Sequence, residues 1–173
     1  VKKVWSVIIA GSGGQGLGLA GRILAEAALS AGLHAAHNQS YGARARGGYS
    51  QSSVVISPDE IVYPFVEEPN LVVALSQKAY DTNLPLMAPD GLLIYDSELV
   101  QGKETELIRS FTFSETSHRA CNSLGISIAA LGAAVRITAI VPEEMLDKAL
   151  NSHFQGETLA VNSRCLSLGM DLV

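Results

Sequence analysis

The sequence predicts an α/β fold, a mostly parallel sheet with helices on both faces, and three observations predict it. The chain opens with a strand-like run, residues 4–10, that ends in Gly11-Ser12-Gly13-Gly14-Gln15-Gly16 and passes at once into a Leu/Ala-rich helical stretch. Strand, glycine loop and helix come in the order of a phosphate-binding βα turn. Strand-length apolar runs then alternate with helical patterns along the rest of the chain, which argues for a largely parallel sheet. The composition, 47% hydrophobic with only 6% aromatic, suits a core of packed small and branched side chains.

The elements follow in order. After Gly16 the apolar positions Leu17, Ala20, Ile23, Leu24 and Ala27 recur at three-and-four spacing, an amphipathic helix that stops near Gly32. Residues 33–38 read as a short second strand, and 39–49 as a loop on their glycines and polar content. A strand over 51–57 is closed by Pro58-Asp59, with Ile61-Val62-Tyr63 as its hairpin partner. The continuous apolar run 71–75 predicts a strand buried on both faces. Ser76 is placed to cap a helix through about residue 84.

Pro89-Asp90-Gly91 is a turn into a buried strand ending at Tyr95, and 108–113 reads as an edge strand. Residues 116–136 look helical in two pieces broken around Gly125. Pro142-Glu143-Glu144 starts a helix running to His153, because proline and acids suit a helix N-terminus. A last helix covers 157–168. With 173 residues and no linker, repeat or low-complexity stretch, residues 1–173 are expected to form one domain.

Composition excludes several functions. A net charge of −5 argues against nucleic acid as a partner, and the cluster Arg44-Ala45-Arg46-Gly47-Gly48 is too short for a polyanion-binding tail. Cys121 and Cys165 lack CxxC spacing and cannot ligate an iron–sulfur cluster, which wants four thiolates. Both are expected to be small buried apolar residues. The longest apolar stretch, 124–141, is interrupted by Arg136 and reads as buried structure, not a membrane span. No signal peptide is visible, so the expected compartment is the cytoplasm. The four histidines show no metal-ligand spacing, no G-x-S-x-G elbow occurs, and no Walker lysine follows the glycines. No catalytic machinery is legible.

Two segments carry candidate chemistry. Gly11, Gly13, Gly14, Gln15 and Gly16 offer a backbone cradle for an anion, or else tight strand–helix packing. A dinucleotide fold would add an acid about 20 residues on for the ribose, yet no Asp or Glu lies between Glu26 and Asp59. The loop from Asn38 to Gly48 concentrates Arg44, Arg46 and several amides and hydroxyls. Guanidinium groups bind phosphate or carboxylate in a two-pronged mode, so Arg46, Gly47 and Gly48 join the candidate site.

These motifs together, with the strand Ser53-Val54-Val55-Ile56-Ser57 before Tyr63-Pro64 and the later Leu-Val-Val-Ala-Leu run, resemble the gamma subunit of 2-oxoacid:ferredoxin oxidoreductases. The 2-oxoglutarate and 2-oxoisovalerate enzymes are most similar. One departure is Ala43-Arg44, where members commonly carry Pro and an acid, so a carried-over role is safer for Arg46 than for Arg44.

The resemblance implies a Rossmann-like domain in a complex that oxidatively decarboxylates a 2-oxo acid to acyl-coenzyme A and reduces ferredoxin. It implies alpha and beta partner subunits, with delta as a further candidate. Thiamine diphosphate and the iron–sulfur clusters would sit on those partners. This chain would be non-catalytic and inactive alone, with coenzyme A as the one cofactor contact open to it. Two alternatives stand beside that reading. One is a stand-alone NAD(P)-binding dehydrogenase with Arg44 and Arg46 on a 2′-phosphate; the other is a pure scaffold subunit that binds no small molecule.

Overall fold

A computed structural model describes residues 3–41, 48–120 and 122–173. The expectations for Arg44, Arg46, Gly47 and Cys121 fall outside those residues. The strands are β1 (Trp5–Ser12), β2 (His34–Tyr41), β3 (Tyr49–Ser57), β4 (Leu71–Ala74), β5 (Leu92–Asp96) and β6 (Ile108–Phe111). The helices are α1 (Leu17–Ser30), α2 (Gln77–Asn83, extended by a 3-10 turn, Leu84–Leu86), α3 (Phe113–Arg119), α4 (Ile126–Thr138), α5 (Glu143–His153) and α6 (Gly156–Met170). The strands form one sheet in the order β2-β3-β1-β4-β5-β6.

The pairs β1–β4, β4–β5 and β5–β6 are parallel, whereas β3 runs antiparallel to both β1 and β2. Five strands therefore point the same way and the sheet is mostly parallel, as expected. Alternation sorts its residues cleanly. Val7, Ile9, Val54, Ile56, Leu71, Val73 and Ile94 join the larger core, shared with α1, α3, α4, α5 and α6. Ile8, Ala10, Val72, Ala74, Leu93 and Tyr95 face the other way onto α2. Helices cover both faces, but very unequally.

Local chemistry explains most boundaries. The Ser76 hydroxyl accepts the Ala79 N–H at 3.2 Å and caps α2. The helical region after Thr112 breaks between α3 and α4 at Gly125, and α4 is buried from Ile126 to Val135 because α6 and α3 close over it. All four residues of β4 are buried, as a strand covered on both faces requires.

Two expectations need correction. Residues 39–41 and Tyr49 belong to strands, not to a loop: β2 and β3 pair from His34↔Ser57 to Tyr41↔Ser50. β2 is an edge strand, so its ladder tolerates polar side chains that read as loop. Ile61-Val62-Tyr63 forms no hairpin strand either. Residues 58–70 are irregular and cross the face beside α2, tied down where the Asn38 side-chain amide donates to the Pro64 carbonyl at 2.7 Å.

Candidate functional site: the glycine loop and its clefts

The glycine loop leaves β1 at the carboxyl end of the sheet, between β3 on one side and β4 on the other. Chain order reverses there, which is where open α/β sheets place ligands. Gly14 and Gly16 hold φ of 95° and 75°, left-handed conformations that cost other residues. Gly16 is the N-cap of α1 and makes no side-chain capping bond, and no acid stands in the first turn. The amino end of that helix therefore keeps its partial positive charge directed at the loop.

Gln15 is turned inward. Its side-chain oxygen accepts the Ser12 N–H at 2.7 Å, and its amide nitrogen donates to the Leu75 carbonyl at 3.0 Å. It staples the end of β1 to the end of β4. A Cβ at Gly11 would fall on this amide, so Gly11 lies beneath the loop as a close-packing residue. The Gly13 N–H donates to the Gly48 carbonyl at 2.8 Å, which ties the loop to the approach of β3.

Among the described residues, three clefts meet at this loop. The largest, about 420 Å³, is lined by Ser12, Gly13, Gly14, Gly16, Arg22, Gln39 and Tyr41 among others. A second, about 280 Å³, lies between Gln15 and α3, with Ser114, Ser117 and His118. The third, about 310 Å³, runs toward α6, where the Asn122 amide donates to Asn162 at 2.9 Å beside Leu124 and Phe154. Gly14 borders all three.

Charge in the largest cleft is one-sided. Among the described residues lining it, Arg22 is the only charged side chain. Nothing in the sequence reading singled out Arg22, although it is the only cation in α1. The only acid of that helix, Glu26, is engaged by His153 at 2.7 Å. Beneath α1, His37 meets the Ser52 hydroxyl at 2.8 Å, and burial together with the Arg22 charge holds the imidazole pKa below its usual value. His37 is therefore a neutral neighbour at physiological pH.

The structure thus brings Gly13, Gly14 and Gly16 to the cleft wall and uses Gly11, Gln15 and Gly48 to hold the loop. Arg46 and Gly47 lie outside the described residues; of the residues flanking that stretch, Tyr41 lines the cleft and Gly48 accepts the Gly13 N–H. Sequence reasoning missed Arg22 altogether, whereas Ser12, Gln39 and Tyr41 lay inside the two candidate segments without being assigned to the site. For Arg22 the available signal was a lone cation one turn into the helix after the glycines.

Comparison with known proteins identifies the lineage. The family model for pyruvate ferredoxin/flavodoxin oxidoreductase matches residues 6–172. The 2-oxoglutarate synthase subunit KorC of Methanothermobacter marburgensis is 36% identical over 95% of this chain and 94% of its own. The ketoisovalerate oxidoreductase subunit VorA of the same organism is 32% identical over 95% of this chain but only 36% of its own length. The gamma subunit of a keto/oxoacid ferredoxin oxidoreductase from Geobacter sulfurreducens superposes with a TM-score of 0.87 at 32% identity, covering 98% of this chain and 96% of its own. The chain belongs to the pyruvate ferredoxin/flavodoxin oxidoreductase family, among its gamma subunits.

Proposed function

We propose that this chain works as the non-catalytic gamma subunit of a 2-oxoacid:ferredoxin oxidoreductase and holds an anionic group of coenzyme A at its glycine loop. The observation that carries the ligand reading is the largest cleft. An uncapped helix end and Arg22 face it, and no carboxylate stands among its described lining residues. A phosphate fits such a wall, because backbone N–H groups and a guanidinium supply charge-assisted donors.

In this reading Gly13, Gly14 and Gly16 let the phosphate approach the backbone, and Gly11, Gln15 and Gly48 hold the loop in place. Arg22 supplies charge, and Arg46 is the second cation this reading assigns to the ligand. Thiamine diphosphate and the iron–sulfur clusters belong to the alpha, beta or delta partners, where decarboxylation and electron transfer to ferredoxin take place. The KorC relative supports 2-oxoglutarate as the 2-oxo acid, which the assembled complex tests by turnover on 2-oxoglutarate against pyruvate.

The decisive experiment on the site is Arg22→Ala, with Arg46→Ala beside it, in the assembled complex. Losing one charge-assisted contact costs about 1.5–3 kcal/mol, or roughly 10- to 150-fold in affinity. The apparent KM for coenzyme A should rise by that factor while dependence on the 2-oxo acid stays level. Unchanged coenzyme A kinetics in both variants refutes the ligand reading and leaves a scaffold. Tight NADPH binding by the purified chain would favour a stand-alone dehydrogenase instead.

A further inference from the structure

We propose that residues 61–66 form a docking strap for a partner subunit of the same complex, one that presents an apolar pocket rimmed by Lys and Arg. The proposal rests on the gamma-subunit reading. The sequence of the strap, Ile61-Val62-Tyr63-Pro64-Phe65-Val66, is uninterrupted by charge and flanked by Asp59-Glu60 and Glu67-Glu68. Val62 is 93% exposed, Tyr63 56% and Phe65 57%. Of the three large exposed aromatic side chains among the described residues, two stand here, two positions apart. Their rings meet edge to face at 5.4 Å.

The strap is irregular but held. Pro64 is anchored by Asn38, Val66 packs on the core beneath the sheet, and the Tyr63 hydroxyl donates to Glu67 at 2.7 Å. Aromatic side chains displayed on an anchored backbone lose little freedom on binding, which is why they dominate interface hot spots. An apolar centre with a charged rim is the anatomy of such a patch.

Charge selects the occupant. All four flanking acids are exposed. A second copy of this chain would set acid against acid, whereas a partner rimmed by Lys and Arg gains attraction and faster encounter. A partner polypeptide is also what the relatives call for. In the VorA relative the matched region is about a third of a longer subunit, so this fold has other protein of the same enzyme joined to it there.

The test uses the full chain co-expressed with the alpha and beta subunits of its own complex, with affinity read by titration calorimetry of purified subunits. Phe65→Ser and Tyr63→Ser should each weaken assembly about 30-fold or more, as hot-spot aromatics do. Leu107→Ser, at an exposed site next to β6 on the opposite edge of the sheet, should stay within two-fold. Glu67→Lys should flatten the loss of affinity with rising salt. Circular dichroism checks that each variant is folded. Strap variants that assemble like wild type overturn the proposal. So does a wild-type dimer that the strap variants break, because the occupant is then a second copy. Wild-type chain that binds neither subunit overturns the gamma-subunit reading as well, and is told apart because the failure precedes any substitution.

Discussion

Replacing Gln15 with alanine separates a residue that holds the loop from one that holds a ligand. The side chain makes two hydrogen bonds, one to the Ser12 N–H at 2.7 Å and one to the Leu75 carbonyl at 3.0 Å. Both of its polar atoms are therefore spent inside the chain. A hydrogen bond contributes about 0.5–1.5 kcal/mol net, so Gln15→Ala should cost about 1–3 kcal/mol. For a chain of this size each kcal/mol moves Tm by roughly 2–4 °C, giving a fall of about 2–12 °C.

Gln15→Glu is the sharper companion. It keeps an acceptor for Ser12 but sets a carboxylate oxygen against the Leu75 carbonyl and adds negative charge beside the proposed anion site. It should be less stable than the alanine variant and should raise the apparent KM for coenzyme A. The assay is thermal unfolding of the purified chain, with coenzyme A titration of the assembled complex alongside. The reasoning is refuted if Gln15→Ala melts within 1 °C of wild type yet abolishes the coenzyme A response. Gln15 would then contact the ligand, and the inward staple would carry no stability.

Two further predictions concern packing and pH. A Cβ at Gly169 of α6 would press on the backbone of Ala129 in α4, 2.7 Å from its carbonyl carbon. Gly169→Ala should therefore destabilise by about 2 kcal/mol even after the gain of roughly 1 kcal/mol in helix propensity, and denaturant titration reads the difference. The His37 pKa is lowered from 6.5, first by burial and then by Arg22. The unfolded chain then binds the extra proton more readily, so this contribution to stability is complete above pH 6.5 and is lost as pH falls through the folded value. His37→Gln should flatten the urea midpoint between pH 7.5 and 5; an unchanged slope assigns the pH dependence to other groups.

The legibility of the sequence followed the physics of each element. Runs such as Leu71–Ala74, and the three-and-four spacing after Gly16, were readable because burial on a sheet or a helix face imposes a period. The Ser76 cap and the Pro142 helix start were readable because they are local. β2 was cut short at residue 38 because its polar end, Gln39–Ser40–Tyr41, is paired on one side only and has no core to face. Its membership in the sheet is a long-range fact carried by Ser50, Gln51 and Ser52 across the ladder.

The candidate site divides in the same way. The loop glycines were legible as a motif, whereas the inward turn of Gln15 depends on Leu75, 60 residues away. Arg22 has no motif at all. It becomes visible only once the largest cleft is found to have no other described charge.

The missing ribose acid and the antiparallel strand prove to be one fact. In a dinucleotide fold the second strand lies next to the first, and its carboxyl end brings an acid within reach of the ribose. Here β3 is inserted between β1 and β2. The carboxyl end of β2, at Tyr41, stands two strand spacings from the glycine loop, on the order of 10 Å at the usual strand separation. An acid at that end would sit twice as far from β1 as the dinucleotide arrangement places it. What arrives beside the loop instead is the start of β3, with Gly48 bonded to Gly13 and Ser50 in the cleft wall. The backbone geometry of the phosphate half needs only β1, the glycines and the amino end of α1, and this insertion leaves all of them in place. The ribose half does not survive, so under the proposed coenzyme A reading the ligand is recognised here by its phosphate, with its remaining atoms contacted by other parts of the assembled enzyme.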